Sequence, residues 1–273
     1  MPAIQLIRIY PIKALDGMAV ESATIIPGGG LRHDREYRIV DAEGTTVNGK
    51  RTAAVTRLRS DYDLAGGTIT VGRVEDSERQ TFHLQRDRAA LEAWLTDYFG
   101  FAVSLQHNTD TGFPDDPDLH GPTLVGRGTL AQVGDWFGGE WSLEHAVRRF
   151  RTNLVLDTDE PWWEDRLHAE RGEYRAFSLG GVTMWGVKPC FRCIVPTRDP
   201  YTGEFNRNFQ REFCARRADT VGPESGLSWF NQSYYLSLNT HVPPSEAGKT
   251  LRVGDTLAVG DAATDPRFAM YVK

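Results

Sequence analysis

Apolar and polar residues alternate over short stretches through most of this chain, punctuated by glycine and proline. Residues 4–10 alternate and are rich in β-formers, and Pro11 ends them. Residues 20–26 read as a second strand, closed by Pro27-Gly28-Gly29-Gly30. Residues 37–41 form a third, followed by a turn at Glu43-Gly44, and 58–64 with 68–71 flank Gly66-Gly67 as a hairpin. Helical spacing first appears at 87–99. Asp87 stands as cap, Leu91, Trp94, Leu95, Tyr98 and Phe99 fall on one face, and Gly100 stops the helix. Further helices are expected at 129–137 with Thr129 as cap, at 142–150, and at 159–167 with Pro161 in the first turn. Strands resume at 177–187, 234–239 and 250–259, the last around Gly254-Asp255.

Residues 109–122 are rich in Asp, Pro and Gly and read as a linker. The expected division is therefore a β-rich part over 1–108 and a mixed part over 123–273, closing in antiparallel β. The fold class is β-rich α+β. A length of 273 residues suffices for two small cores. The net charge of −6 argues against nucleic acid as the main partner, because phosphate binding wants a basic surface. No apolar run approaches the ~18 residues of a membrane span, and the N-terminus lacks the features of a secretory signal. Three cysteines imply no disulfide framework, so a cytoplasmic protein with reduced thiols is expected. Without a secretory signal, Asn231-Gln232-Ser233 is read as a chance match to a glycosylation acceptor.

Several chemical readings fail on spacing. Residues 44–50 have the spacing of a phosphate-binding P-loop, but Arg51 follows where a magnesium-binding hydroxyl belongs, and no helix opens there. A hairpin with basic tips is the expected structure. The acidic run at 110–118 matches no calcium loop and reads as solvated linker. The seven histidines form no zinc pair, and no serine sits in a nucleophile elbow.

Cys190 and Cys193 form a Cys-x-x-Cys. Half a zinc site is one reading, although Cys214 stands alone and the second pair is missing. A redox pair is another, but Pro189 precedes it and Ile194-Val195-Pro196 reads as extended, where a helix should open. A buried structural pair is a third. Arg192 beside Cys193, with Lys188 close by, favours a thiolate, the form that ligates soft metals.

The pair lies within Cys190-Phe191-Arg192-Cys193-Ile194-Val195-Pro196-Thr197-Arg198-Asp199-Pro200-Tyr201-Thr202-Gly203. This run resembles the signature of MOSC-domain proteins, named for the C-terminal domain of molybdenum-cofactor sulfurase. It is most similar to the branch holding the mitochondrial amidoxime-reducing component and its bacterial relatives. Tyr10-Pro11-Ile12-Lys13 resembles that family's opening, and Gly30-Leu31-Arg32-His33-Asp34-Arg35-Glu36-Tyr37 its Gly-Leu…Asp-Arg-x-aromatic segment. Phe150-Arg151-Thr152-Asn153-Leu154 resembles its Phe-Arg-x-Asn segment, and residues 248–255 its closing Gly…Val-Gly-Asp.

The resemblance implies an N-terminal β-barrel-like domain, then a MOSC domain built round a β-barrel with flanking helices. It implies a mononuclear molybdenum-pterin cofactor (Mo-molybdopterin) with Cys193 as the metal's thiolate ligand; pyridoxal phosphate is not required. Such a cofactor is anionic. Lys13, Arg35, Arg151 and Arg192 are the cations expected to hold it, with Asn153 offering both donor and acceptor to the pterin. Two departures stand out: Ala14 follows Lys13 where relatives carry serine, and Gly126-Arg127-Gly128-Thr129 keeps only Thr129 of two hydroxyls. The implied activity is reduction of a small N-hydroxylated substrate (a hydroxylamine, an amidoxime or an N-hydroxylated base). Asp199 is either a proton relay or the cap of the Pro200-Tyr201-Thr202-Gly203 turn. The cysteines do not make up an iron–sulfur ligand set, so a separate electron-transfer protein, flavoprotein or iron–sulfur, is expected. The alternatives are a sulfur or cofactor carrier using Cys193 without redox turnover, and a binding module with structural cysteines.

Overall fold

The computed structural model describes residues 1–273 except 140, 171, 223–226, 228–231, 266 and 269–273. Asn231, the acceptor of the chance glycosylation match, lies outside the described residues. The first part supplies β1 (Ile4–Ile9), β2 (Met18–Val20), β3 (Ser22–Thr24), β4 (Tyr37–Asp41), β5 (Leu58–Asp63), β6 (Thr68–Arg73), β7 (Gln80–His83), α1 (Arg88–Phe99) and β8 (Val103–His107). After 109–122 come β9 (Leu124–Gly126), α2 (Arg127–Trp136), α3 (Leu143–Phe150), β10 (Leu154–Leu156), β11 (Glu173–Leu179) and β12 (Val182–Phe191). Helix α4 (Phe209–Ala218), β13 (Tyr235–His241), β14 (Thr250–Arg252) and β15 (Leu257–Thr264) follow. The protein is a β-rich α+β fold.

Eight strands form one sheet in the order β15-β11-β12-β13-β9-β10-β1-β2. Strands β9 and β10 run parallel, joined by α2 and α3 as the crossover, and the other pairings are antiparallel. Pairing thus runs across the 109–122 segment: Ile4 opposes Leu156, and Thr24 on β3 opposes Thr250 on β14. One buried cluster gathers Ile4, Ile7, Leu154, Phe177, Met184 and Leu257 from both ends of the chain. A second lies wholly within residues 12–105 around Ile39, Ile69, Leu91 and Leu105. A third seats α2, α3 and α4 on the sheet through Val133, Phe150, Phe209 and Phe213.

The structure departs from the expected elements where the chain changes partner. The expected strand 20–26 divides, because β2 pairs with β1 while β3 leaves for β14. The expected strand 177–187 is a hairpin, turning at Gly180 (φ 54°) and continuing through Pro189 to Phe191. Register shifts flank Pro189, where the missing ladder donor is tolerated. Val195–Thr197 forms a 3-10 turn where extended chain was expected, and 159–167 yields only the 3-10 helix Trp163–Leu167. Asp87 precedes α1, but its carboxylate accepts the His83 N–H instead of capping the helix. Ser142 does cap α3, accepting the His145 N–H at 3.1 Å.

A polar knot lies behind β9. The fully buried Arg217 donates to Asp165 Oδ2 at 2.6 Å and stacks its guanidinium 3.8 Å over Trp162. Glu164, also buried, accepts from Thr129 Oγ1 and from the Gly126 N–H. Burial, with Asp165 next to it, raises the Glu164 carboxyl to about 7.

Removing one partner of a buried pair strands the other. Arg217→Met is expected to cost ~3–5 kcal/mol in urea unfolding, with Asp165→Leu restoring much of that in the double variant. For Glu164, the unfolded carboxyl titrates near 4.5 and the folded one near 7. Its protonated form therefore stabilises the fold fully below the lower value, and that stability is lost as pH rises through the upper one. The wild-type thermal midpoint is expected to fall relative to that of Glu164→Gln between pH ~5 and ~8; parallel curves would refute the assignment.

Candidate functional site

Strand β12 carries Cys190 to the end of the sheet, and Cys193 follows on the bend into the 3-10 turn. Helix α3 ends beside it. Arg151 takes a left-handed conformation (φ 54°), its N–H satisfied by the Val147 carbonyl at 2.7 Å, and the chain passes through Asn153 into β10. The segment before β4 brings Arg35, and the segment after β1 brings Lys13. These meet in a cavity of about 440 Å³. Ala14 (φ 75°), Arg35 (φ 54°) and Arg151 all line it in left-handed backbone, a conformation that costs side-chain-bearing residues energy and tends to gather at functional sites.

Seven of the eight residues expected from sequence line this one cavity: Lys13, Arg35, Arg151, Asn153, Arg192, Cys193 and Asp199. Thr129 does not. Helix α2 begins at Arg127, so Thr129 is neither its cap nor a cavity residue. It is fully buried, accepting the Trp162 N–H at 2.7 Å and donating to Glu164 at 2.8 Å.

The side chains divide by how much hydrogen bonding they have left. Arg35 pairs with Asp34, reaches Asn153 Oδ1 and the Arg151 carbonyl at 3.4 Å each, and lies 5.0 Å over the Tyr10 ring. Asn153 is largely committed inside the protein. Its Oδ1 accepts from the Thr123 N–H and hydroxyl at 3.2 Å each, and its Nδ2 donates to the Arg8 carbonyl at 3.0 Å. Its place is that of a brace between segments. Arg151 donates through Nη1 to the Leu15 carbonyl, while its buried Nη2 has no partner. Arg192 donates to the Phe150 carbonyl and to Cys190 Sγ at 3.0 Å, leaving its buried Nε without one. Sequence adjacency pointed Arg192 at Cys193; the hydrogen bond goes to Cys190. Burial weakens the Arg192 charge, but the Cys190 and Cys193 sulfurs outweigh this, so the guanidinium binds its proton more tightly than usual.

Asp199 caps the turn. Its Oδ1 accepts the Tyr201 and Thr202 N–H groups at 2.9 Å each, and its Oδ2 pairs with Arg149 at 3.0 Å. Desolvation works to raise this carboxyl, but those N–H groups, Arg149 and His145 hold it below the ordinary range. It remains an anion, suited to anchoring Arg149 and unsuited to giving up a proton.

Sequence reasoning missed several lining residues. Asp115 and Asp116, read as solvated linker, pair with Lys13 at 3.0 Å and Lys188 at 2.6 Å on the cavity wall, Asp115 with its side chain still exposed. Desolvation opposes the Asp115 charge, yet Lys13, Arg35 and Arg151 hold that carboxyl below its usual range. The rejected P-loop segment turns at 41–45, with Val40 bridged to Thr46, and then sends Asn48, Gly49 and Lys50 to the cavity wall. Arg148 and Arg149 stand in the last turn of α3, where basic residues are common for helix-dipole reasons alone. Among the described residues, no group of three or more His, Cys, Asp or Glu side chains could hold a metal ion, and no helix is long and apolar enough to cross a membrane.

The cavity's donors suit an anionic ligand bearing a metal that lacks a protein cage. Buried N–H groups on Arg151 and Arg192 stand unspent, and two half-buried thiols, Cys190 and Cys193, line the same space.

Comparison with known proteins agrees with the sequence signature. The chain is 24% identical over 233 residues to the molybdenum cofactor sulfurase of Drosophila erecta, covering 74% of this chain and 28% of that protein. It is 24% identical over 264 residues to that of Anopheles gambiae (79% and 33%), and 26% over 248 residues to that of Drosophila persimilis (74% and 30%). The chain thus spans a third or less of the length of these relatives. The crystal structure of the YUAD protein from Bacillus subtilis aligns over 94% of both chains at 10% identity, with a TM-score of 0.37, too loose a likeness to bear on the fold. Residues 1–111 match the MOSC N-terminal beta barrel domain, the same family that the sequence signature resembles.

Proposed function

We propose that this protein binds a molybdenum-pterin cofactor in the 440 Å³ cavity and uses it to reduce small N-hydroxylated compounds. The carrying observation is the convergence of Lys13, Arg35, Arg151 and Arg192 on the space that Cys193 lines, with buried guanidinium donors left over. The name shared by its relatives, molybdenum cofactor sulfurase, supports an association with this cofactor.

Cys193 would supply the thiolate to the metal. Arg151 and Arg192 would hold the anionic part of the cofactor through charge-assisted bonds, with Arg35 and Asn153 bracing them. When bound, the group supplies two-electron redox chemistry. The overall change breaks an N–O bond, consumes two electrons and two protons, and yields the N–H compound and water. A separate flavoprotein or iron–sulfur protein would supply the electrons. The chain's own residues orient and neutralise. Asp199, held ionised, fixes Arg149 and the turn beside Cys193.

A carrier is the second reading, supported by the relatives' name and by the Arg192 hydrogen bond to Cys190 Sγ, which places a cation on a sulfur of the same cavity. In that case Cys193 would hold a transferable sulfur without redox turnover.

Protein purified from molybdenum-replete cells should carry about one molybdenum per chain and reduce benzamidoxime with an artificial donor. Cys193→Ser should lose both, as read by elemental analysis and product formation. A labile sulfur on Cys193 with no molybdenum would decide for the carrier, and metal content unchanged in Cys193→Ser would sink both readings. Arg151→Met removes a buried charge-assisted donor, worth ~1.5–3 kcal/mol, and should weaken cofactor retention about tenfold or more on dialysis.

A further inference from the structure

The cavity wall holds more positive charge than its own acids and such a cofactor can use. Ten Lys and Arg side chains line it against five aspartates. Each aspartate is spent on one cation: Asp34 on Arg35, Asp115 on Lys13, Asp116 on Lys188, Asp16 on Arg148 at 2.6 Å and Asp199 on Arg149. Lys50, Arg59, Arg151, Arg192 and Arg198 remain without a carboxylate within salt-bridge distance among the described residues. Arg59 is turned to the protein, donating to the carbonyls of Thr56, Leu58, Pro200 and Tyr201. Arg151 and Arg192 would be taken up by the cofactor's phosphate, which carries about −2. Two cations are left over, Arg198 and Lys50.

These two share one rim. The loop bearing Lys50 rests on the turn that leads to Arg198, since a Cβ at Gly49 would lie 3.3 Å from Val195 Cγ2. Arg198 follows Cys193 by a single 3-10 turn. Its guanidinium is held 5.2 Å over the Phe205 ring, and its buried Nε has no partner. The Asp199 carboxylate that could neutralise it is instead bonded to Arg149 and to the turn N–H groups. Lys50 is exposed at the mouth. Keeping a half-buried arginine unneutralised on a cavity wall, with one covered N–H unspent, is costly unless an anion visits it.

We infer that Arg198 and Lys50 form an anion subsite for the substrate, so that the preferred N-hydroxylated compound carries a carboxylate or phosphate away from its N–O group. This rests on the reading of the cavity as an N-hydroxy reductase site. Arg198 is the half-buried guanidinium clamp and Lys50 the exposed guide at the entrance.

The test compares benzamidoxime with para-carboxybenzamidoxime on the purified, molybdenum-loaded full chain. Binding is read by calorimetry and turnover by kcat/KM with an artificial donor. The wild type is expected to bind the carboxylated compound about tenfold more tightly, a preference that added salt erodes. Arg198→Gln should bring the ratio of the two affinities to about one, and Lys50→Gln should lower it part of the way. A wild-type ratio near one, a ratio unchanged in Arg198→Gln, or failure of either compound to bind overturns the subsite. Carboxylate-selective binding without turnover of either compound would overturn the reductase reading and leave the subsite standing. Phosphate-bearing and carboxylate-bearing amidoximes, run in parallel, distinguish the two anion chemistries.

Discussion

One guanidinium ties the site together. Arg35 reaches from the segment before β4 to Asn153 and to the Arg151 carbonyl, pairs with Asp34 beside it, and stacks on Tyr10. Asp34 in turn accepts the Tyr10 N–H at 2.8 Å. Three stretches distant in sequence are thereby fixed around one charge. The arrangement works because the charge is almost fully compensated: desolvation would weaken it, but Asp34, Asp115 and Tyr10 more than offset that, and Arg35 keeps its proton more firmly than a free arginine. Neighbouring Arg151 lacks such compensation. Burial and Arg35 itself weaken its charge despite Tyr10, so that an anionic ligand would restore it.

Much of the site was legible in the chain because short local motifs hold its residues. The Cys190–Cys193 run, the Arg35 segment and the Arg151–Asn153 segment each set their residues by local backbone geometry, including left-handed positions at Arg35 and Arg151. What stayed hidden depended on distant partners. Asp115 and Asp116 look like linker acids until Lys13 and Lys188 are placed opposite them. Lys50 sits in a segment rejected as a P-loop for sound reasons, and it reaches the cavity because Gly49 packs on Val195. Helix α4 escaped notice because its inward face reads Phe209, Phe213 and Arg217, and a buried arginine hides the apolar spacing. Thr129 misled twice, as cap and as ligand contact. The helix starts two residues before it, turning its hydroxyl into the polar knot.

The two polar clusters illustrate different uses of burial. Behind β9, Arg217 bonds Asp165, the cation meeting its acid, and Glu164 bonds Thr129, although Arg217 Nε and Glu164 Oε1 stand without partners. Around the cavity, acids neutralise only half of the cations, and buried N–H groups on Arg151, Arg192 and Arg198 stand unspent. Native interiors seldom leave such groups without partners. What separates the cavity wall from the cluster behind β9 is its surplus of cations over acids.

The place of β1 in the large sheet has a consequence for how the molecule is made. Ile4, Ile7 and Ile9 are almost fully buried, yet the strand's neighbour β10 lies at 154–156. A ribosome releasing this chain emits that apolar strand well before its companion, with β2 to β9 and two helices of the crossover coming between them. Until then only the three-residue β2 can shield one edge, while the other stays bare. Such distant closure slows folding and exposes a sticky edge. The residues of β1 thus wait long for shelter after they are made, and holding them apart from other nascent chains is a task for the cell's chaperones.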